Sequence, residues 1–300
     1  MDQAAKLRDI IRESRQSEEP TPSGKKKARV ITVTSGKGGV GKSNISVNLA
    51  VQFQKQGKKV VIFDADFGLA NVEVIFGILP KYNILDLITN QMSIFDVLTE
   101  GPMGIRFLSG GSGLGQLLNL SSEQIEYLVK QLEILDEHAD IIIIDTGAGI
   151  NEAVLAFAFV SNEILFVTTP EPTAITDAYA LIKSICNNPQ FQQSKPKMRL
   201  LINKSRSAKE SEEVFDKLDK VAERFLGIRL EMLGALPDDR ALVDAVIERK
   251  PFSLIYPKAA VTKAIEGIAD RLLNEEQTGV KKETQAKGLS SIFSKIFHRR

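Results

Sequence analysis

The sequence has few of the residues from which disulfides or metal clusters are built: its 300 residues include one cysteine and two histidines. Cys186 alone excludes a disulfide framework and any cysteine-ligated cluster within one chain. With only His138 and His298 to join it, a structural zinc site is not expected either.

Long apolar runs are also missing. No stretch approaches the roughly 20 apolar residues that a membrane-spanning helix needs. The N-terminus is charged from Asp2 onward and has no apolar signal core, so we expect the protein to stay in the cytoplasm.

The sequence has no excess of positive or of negative charge, since 39 lysines and arginines face 38 aspartates and glutamates. The formal net charge is +1, so nothing in the overall balance predicts a specific nucleic-acid partner. The hydrophobic fraction of 43% and the charged fraction of 26% are those of an ordinary soluble globular protein. The length is sufficient for one large α/β domain or two small ones.

What the sequence does contain is a glycine-rich stretch that fits the pattern G-x-x-x-x-G-K-[ST]. Residues 29–34 before it have the composition of a buried strand, and residues 44–56 after it have the apolar spacing of a helix. Strand, glycine loop and helix in this order are typical of a phosphate-binding loop. The predicted nucleotide contacts are Gly36, Lys37, Gly38, Gly39, Val40, Gly41, Lys42, Ser43 and Asn44.

The chemistry of this stretch is that of an anion cradle. Glycines let consecutive backbone N–H groups converge on phosphate oxygens, and the helix that follows adds unpaired amides and a positive dipole end. Lys42 would neutralise the β- and γ-phosphates, and the Ser43 hydroxyl would ligate Mg²⁺. A glycine-rich turn without a ligand is the alternative, and the strand–loop–helix context disfavours it.

Carboxylates follow two of the predicted strands. Residues 59–64 form a strand that ends at Asp64, with Asp66 two residues on, and a second strand with four consecutive isoleucines ends at Asp145. Parallel strands bring these ends to the edge that carries the phosphate loop. We expect Asp145 to serve Mg²⁺, and of Asp64 and Asp66 we expect one to face Mg²⁺ and the other the attacking water. For Asp64, a loop cap is the open alternative.

A repeating order of strand and helix continues along the chain. Residues 67–120 are broken by glycines and prolines into short helices, a strand at 104–109 and a second glycine-rich loop. The alternation predicts an α/β fold, a doubly wound and mostly parallel sheet with helices on both faces, in one domain over residues 28–274. The later predicted strands are 140–145, 163–168, 198–203 and 231–236, and the predicted helices are 121–138, 173–186, 208–225, 239–248 and 258–273.

The base can be inferred from residues 203–206, which read Asn-Lys-Ser-Arg. A GTPase carries N-K-x-D at such a place, and its aspartate selects guanine. Arg206 stands at the fourth position, so the sequence favours adenine and therefore ATP.

Several motifs together resemble those of the MinD/ParA family of ATPases. Lys37 before the paired glycines is similar to that family's deviant Walker A lysine. The resemblance implies that Lys37 reaches across an ATP-sandwich homodimer to the partner's phosphates and that Asp66 positions or activates the water. It also implies that Asn203, Pro237 and Asp238 hold adenine. The other motifs that carry the resemblance are Asp64-Ala-Asp66, Asp145-Thr-Gly-Ala-Gly149, Thr169-Pro-Glu-Pro172 and Pro237-Asp238-Asp239.

One position departs from the cell-division members of this family. Gly147 stands where they carry a proline. This difference argues against a division protein and leaves the predicted chemistry unchanged.

The last 13 residues, 288–300, follow a polar tether at 275–287 and combine an apolar stripe with basic residues such as Lys295. A helix of this length, about 20 Å, is too short to cross a bilayer. It is typical of an interfacial anchor on an anionic membrane, and docking on the domain's own core is the open alternative. The stripe consists of Leu289, Ile292, Phe293, Ile296 and Phe297.

The first 27 residues form a separate segment and linker, for which a disordered tail is the alternative. Its start resembles the D-Q-A-x-x-L-R element of the FlhG type of flagellar-number ATPase. The resemblance implies that the segment stimulates FlhF, a GTPase of the signal-recognition-particle type, and that the protein meets flagellar C-ring components. The matching residues are Asp2, Gln3, Leu7 and Arg8.

Other functions remain open at this stage. A Min-type regulator of the division site would share the ATPase and the membrane helix but lack the activating segment. A ParA-type partition ATPase would need a basic surface for DNA, which the neutral balance of charge does not favour. An iron–sulfur carrier is not supported by Cys186 alone, and a scaffold without turnover is disfavoured by the three carboxylates.

Overall fold

A computed structural model describes residues 27–66, 71–111, 121–189, 191, 196–277 and 290. Within these ranges one sheet of eight strands forms the centre of the molecule. Strands β1 to β8 are Arg29–Ser35, Val60–Ala65, Thr99–Glu100, Arg106–Ser109, Ile141–Ala148, Glu163–Thr168, Lys197–Ser205 and Glu231–Pro237. Helices α1 to α11 are Lys42–Lys55, Asn71–Phe76, Ile84–Thr89, Ile94–Val97, Ser122–His138, Glu152–Val160, Pro172–Cys186, Ala208–Leu226, Arg240–Ile247, Phe252–Ile255 and Ala260–Gln277.

The strand order across the sheet is β3-β4-β2-β5-β1-β6-β7-β8. Every neighbouring pair is parallel except β3 and β4, which are antiparallel. Strand β1 lies inside the sheet between β5 and β6, so the loop that follows it opens where the chain changes direction across the sheet. In open α/β sheets this is the place where ligands bind.

Hydrophobic clusters cover both faces of the sheet. In β5, Ile142 and Ile144 belong to a cluster that includes α5, α6, α7 and α8. Ile141 and Ile143 belong to the opposite cluster, which includes α1, α9, α10 and α11. Successive side chains of a strand point to opposite faces, so a run of four isoleucines fits a strand that is buried on both sides. The predicted doubly wound fold is confirmed.

The predicted elements lie within a few residues of those observed, with some additions. Helices α6 and α10 and the two-residue strand β3 were not predicted from the sequence. The last helix continues to Gln277, three residues beyond the end of the predicted domain. Helix α5 begins with a capping box: the Ser121 hydroxyl accepts the Gln124 N–H, and the Gln124 side chain accepts the Ser121 N–H. In the described ranges, no helix combines the length and the apolar character needed to span a bilayer.

Candidate functional site

The phosphate loop joins β1 to α1 at the carboxyl edge of the sheet. Gly39 and Gly41 have positive φ values of 76° and 98°, which other residues adopt only with strain. Gly41 is also the N-cap of α1, and it has no side chain with which to cap the first-turn amides. These amides are therefore available for an anion.

Gly36, at the start of this loop, packs directly against helix α7. A Cβ atom at position 36 would overlap the backbone carbonyl of Asp177. From the other side, the Gly149 N–H donates to the Ser35 carbonyl at 2.9 Å. The loop is thus held between α7 and the segment that follows β5.

Lys42 is buried on the first turn of α1, with 8% of its surface exposed. Burial lowers its pKa, whereas the negative charges of Asp145 and Asp66 act in the opposite direction. A buried ammonium beside two carboxylates is suited to neutralise phosphate oxygens.

Asp145 is completely buried near the end of β5. Its Oδ1 accepts a hydrogen bond from the Ser46 hydroxyl at 2.9 Å. Burial raises its pKa to about 6, although Ser43 and the Lys42 charge act to lower it. Its Oδ2 is buried and has no hydrogen-bond partner of good geometry among the described residues. A carboxylate oxygen that has no hydrogen-bond partner of good geometry and lies beside a serine hydroxyl is suited to bind Mg²⁺, which prefers oxygen ligands.

Asp64 lies directly beside Asp145, because the two are register partners on β2 and β5. Its carboxylate accepts the Asp66 N–H at 3.3 Å and the Val72 N–H at 3.0 Å. Burial and the nearby Asp145 charge raise its pKa to about 7. These two contacts have the geometry of a loop cap, which was the alternative for Asp64. The register pairing places the Asp64 charge next to Asp145, the other predicted metal ligand on a strand.

Asp66 follows β2 and is half-buried at the same edge. The Asn71 side chain donates to its Oδ2 at 3.1 Å, which fixes the carboxylate. Gly147 faces it: a Cβ at position 147 would lie 3.4 Å from Asp66 Oδ1. Asn71 was missed in the sequence analysis, since its position five residues after Asp66 follows no general spacing rule.

Lys37 lies at the mouth of the loop, with 37% of its side chain exposed. Its Nζ donates to the Glu171 carboxylate and to the Thr173 hydroxyl, both at 2.9 Å. The hydrogen bond from Lys37 and the Lys37 charge lower the pKa of Glu171. Glu171 is the N-cap residue of α7, so the same helix contacts both Gly36 and Lys37.

Asn203, at the end of β7, is 1% exposed and contacts the phosphate loop. Its amide donates to the Val40 carbonyl at 2.8 Å, and its Oδ1 accepts the Lys204 N–H. Lys204, with φ 55°, donates from Nζ to the Gly39 carbonyl at 3.2 Å. The resemblance predicts that Asn203 binds adenine. In the structure its side-chain amide binds the phosphate loop.

The other predicted adenine residues adjoin this contact. Pro237 is the register partner of Ser205, and the Asp238 N–H donates to the Ser205 carbonyl at 3.1 Å. The structure therefore brings the 203–205 and 237–238 segments together beside the phosphate loop.

Two groups of predicted residues lie outside the described ranges. The GTPase-activating residues Asp2, Gln3, Leu7 and Arg8 are one group. The membrane residues Leu289, Ile292, Phe293, Lys295, Ile296 and Phe297 are the other.

The nucleotide-site geometry agrees with what comparison with known proteins finds. The ParA family model, described as NUBPL iron-transfer P-loop NTPase, matches residues 26–273. The antiactivator FleN of Pseudomonas aeruginosa is 37% identical, over 81% of this chain and 86% of that protein. The flagellum site-determining protein YlxH of Helicobacter pylori is 38% identical, over 89% of each.

Solved structures support the same assignment of the fold. The septum site-determining protein MinD of Pyrococcus horikoshii, complexed with Mg-ADP, superimposes with a TM-score of 0.67. The match covers 85% of this chain and 99% of that one, at 20% sequence identity. The family model spans most of the chain, and two relatives exceed 30% identity over most of their length. The chain belongs to the ParA/MinD family of ATP-binding P-loop NTPases.

Proposed function

We propose that the protein is an ATPase that dimerises with ATP, associates with the membrane and regulates the number or placement of flagella. Its N-terminal segment stimulates the GTPase FlhF. The observation that carries the ATPase part is the convergence of Lys42, Asp66 and Asp145 on one phosphate loop.

Each of these groups has a defined task in ATP hydrolysis. The loop amides and Lys42 bind the β- and γ-phosphates, and Asp66, held by Asn71, orients the attacking water. Ser43 and Asp145, which hydrogen-bond to each other, would supply oxygen ligands for Mg²⁺. When bound, Mg²⁺ would neutralise charge that develops on the phosphate oxygens.

Lys37 is the residue proposed to act across the dimer. Its ion pair with Glu171 is at the surface, where water and salt screen the attraction between the two charges. Lys37 can therefore leave Glu171 and bind the triphosphate held by a second copy at a small cost in free energy. Two C-terminal helices held together would bind a membrane far more strongly than one.

The relatives suggest the pathway. One is named an antiactivator and the other a flagellum site-determining protein. Together with the Asp2–Arg8 element, these names favour a flagellar role, with FlhF and C-ring components of the FliM, FliN or FliY type as partners.

The test is GTP turnover by FlhF with and without a peptide of residues 1–20. We expect the peptide to stimulate turnover and the Gln3→Ala peptide to have lost most of this effect. A Lys6→Ala peptide is the matched control, because the D-Q-A-x-x-L-R pattern leaves that position free. Equal turnover with and without the peptide would contradict the flagellar activator role.

A Min-type division regulator is the second candidate, favoured by the structural likeness to MinD. It predicts the same ATPase and no effect of the peptide on FlhF. An iron carrier, which the description of the family model would suggest, is disfavoured because burial raises the pKa of the Cys186 thiol to about 11.

A further inference from the structure

Helix α1 carries a second buried serine, Ser46, about one turn beyond Ser43. Ser46 is completely buried, and its hydroxyl donates to Asp145 Oδ1 at 2.9 Å. A serine inside a helix can donate to a carbonyl of the preceding turn of the same helix. Ser46 instead donates to a carboxylate on β5, 99 residues further along the chain. Because serine is a poorer helix former than alanine, the helix itself does not require a serine at this position.

The helix geometry brings Ser43 and Ser46 to the same carboxylate. Residues three apart lie on one face of a helix, and α1 packs on β5. The Ser43 side chain hydrogen-bonds to Asp145 as well. Asp145 is thus contacted by two hydroxyls, one within the phosphate-loop motif and one beyond it. Their tasks differ, because Ser43 is itself a predicted metal ligand and Ser46 is not.

The Ser46 hydrogen bond fixes the direction of the Asp145 carboxylate. Oδ1 is held by Ser46, and Oδ2 is buried without a hydrogen-bond partner of good geometry among the described residues. The terminal torsion of an aspartate has a broad energy minimum, so packing alone does not fix it. The positive charge of Lys42 stabilises the carboxylate but does not select between its two oxygens. The hydroxyl on Oδ1 makes that selection, and it leaves Oδ2 available.

We propose that Ser46 is a positioning residue for Mg²⁺, because its hydroxyl holds Asp145 in the orientation in which the carboxylate serves the metal. Hydrogen-bond partners of metal ligands orient those ligands, and their loss typically weakens metal affinity about 10–100-fold. In this role Ser46 acts through Asp145 alone. The proposal rests on the Mg²⁺ site of the proposed function.

Binding of a fluorescent ADP analogue, N-methylanthraniloyl-ADP, tests this role without turnover. Its dissociation constant is measured in EDTA and at rising concentrations of Mg²⁺. For Ser46→Ala we expect the Mg²⁺ concentration at half of the full effect to rise roughly tenfold or more. The dissociation constant in EDTA should stay as in the wild type, because the hydroxyl contacts Asp145 and not the nucleotide.

Ser161→Ala is the matched control. The Ser161 hydroxyl is also buried, and it donates at 2.8 Å to the carbonyl four residues back, that of Phe157. Ser161 lies at the amino edge of the sheet, since the N–H of the next residue, Asn162, donates to the Val30 carbonyl near the start of β1. Loss of this hydroxyl should lower the melting temperature and leave the Mg²⁺ requirement unchanged. An equal rise in the Mg²⁺ requirement of both variants would overturn the proposal.

Two further replacements separate the hydroxyl from the rest of the side chain. Ser46→Thr keeps the donor and should need the same Mg²⁺ concentration as the wild type. Ser46→Cys has a weak donor and should need more Mg²⁺ than Ser46→Thr, whether or not Ser46→Ala folds. If Ser46→Thr needs as much Mg²⁺ as the cysteine and alanine variants, the positioning role of the hydroxyl is refuted.

The same titration distinguishes this proposal from the proposed function. If Mg²⁺ has no effect on nucleotide binding by the wild type, the metal site of the proposed function is wrong, and the role of Ser46 is wrong with it. If Mg²⁺ strengthens binding by the wild type and by Ser46→Ala at the same concentration, the metal site is correct and only the role of Ser46 is refuted.

Discussion

Asp64 and Asp145 illustrate what a single residue contributes to this site. The sequence placed both carboxylates at strand ends, and the structure puts them side by side. The partners of Asp64 could not be predicted, because the amide of Val72 comes from a helix eight residues away along the chain. The choice between metal ligand and loop cap depends on such contacts.

The raised pKa of Asp64 has a consequence for stability. The ordinary value is 3.8, and burial beside Asp145 raises it to about 7 in the folded protein. Between these two values the folded state binds more protons than the unfolded state, so the free energy of unfolding falls as the pH rises. Above about pH 7 both states are ionised at this residue, and the full cost of the buried charge remains.

We therefore expect Asp64→Asn to stabilise the protein without metal or nucleotide. At pH 8 the replacement should raise the melting temperature by roughly 5 °C, and near pH 5 it should have a much smaller effect. Melting curves in EDTA from about pH 5 to pH 8 measure this. Glu213→Gln, at an exposed position on α8, is the control. If the melting temperatures of the wild type and of Asp64→Asn change with pH in parallel, the prediction is wrong.

At the scale of elements, the phosphate loop was predicted from the order of strand, glycines and helix. The packing of α7 on Gly36 could not be predicted, because contacts between elements far apart in sequence leave no local pattern in it. The same limit applies to α11, whose last turn was predicted as linker. There Glu275 pairs with Arg199 of β7, which is only 1% exposed.

Helix α6 was missed for a different reason. Its sequence from Glu152 to Val160 is apolar at nearly every position after the first, so it shows no helical period. Strand β3 has two residues, too few for any pattern. Elements with clear periodicity, such as α8, were located to within one residue.

Replacement of Gly36 tests the contact between the loop and α7. Gly36→Ala should destabilise the protein by about 1–3 kcal/mol, because the methyl group meets backbone that cannot rotate away. Gly38→Ala is the matched control, since its Cβ would lie 3.9 Å from the nearest described atom, the Ala148 Cβ. Melting temperatures without nucleotide compare the two, and an equal change in both variants would show that α7 is not the reason for glycine at position 36.

At the scale of the whole molecule, the two edges of the sheet have different roles. The carboxyl edge carries the phosphate loop, the carboxylates and Lys37, and the amino edge carries the contacts of Ala28 and Ser290. The sequence could predict the nucleotide site, but it could not show that Ala28 and Ser290 contact the domain at the opposite edge. An effect of ATP on the tail must therefore pass through the domain or through dimerisation.

Dimerisation predicts that a residue at the carboxyl edge controls membrane binding by the tail. Lys37→Ala should abolish the ATP-dependent part of vesicle binding, a fall of at least about tenfold, because two tails can no longer be paired. An Asp66→Ala background prevents turnover during the measurement. Lys209→Ala, an exposed lysine on α8, is the control for loss of one positive charge near the membrane.

Sedimentation of the same proteins with vesicles, in ATP and in ADP, decides between two explanations. If Lys37→Ala loses vesicle binding and is monomeric in ATP, the lysine couples nucleotide to membrane through the dimer. If it binds vesicles as strongly as the Lys209→Ala control while remaining monomeric, one tail is sufficient and the coupling is refuted.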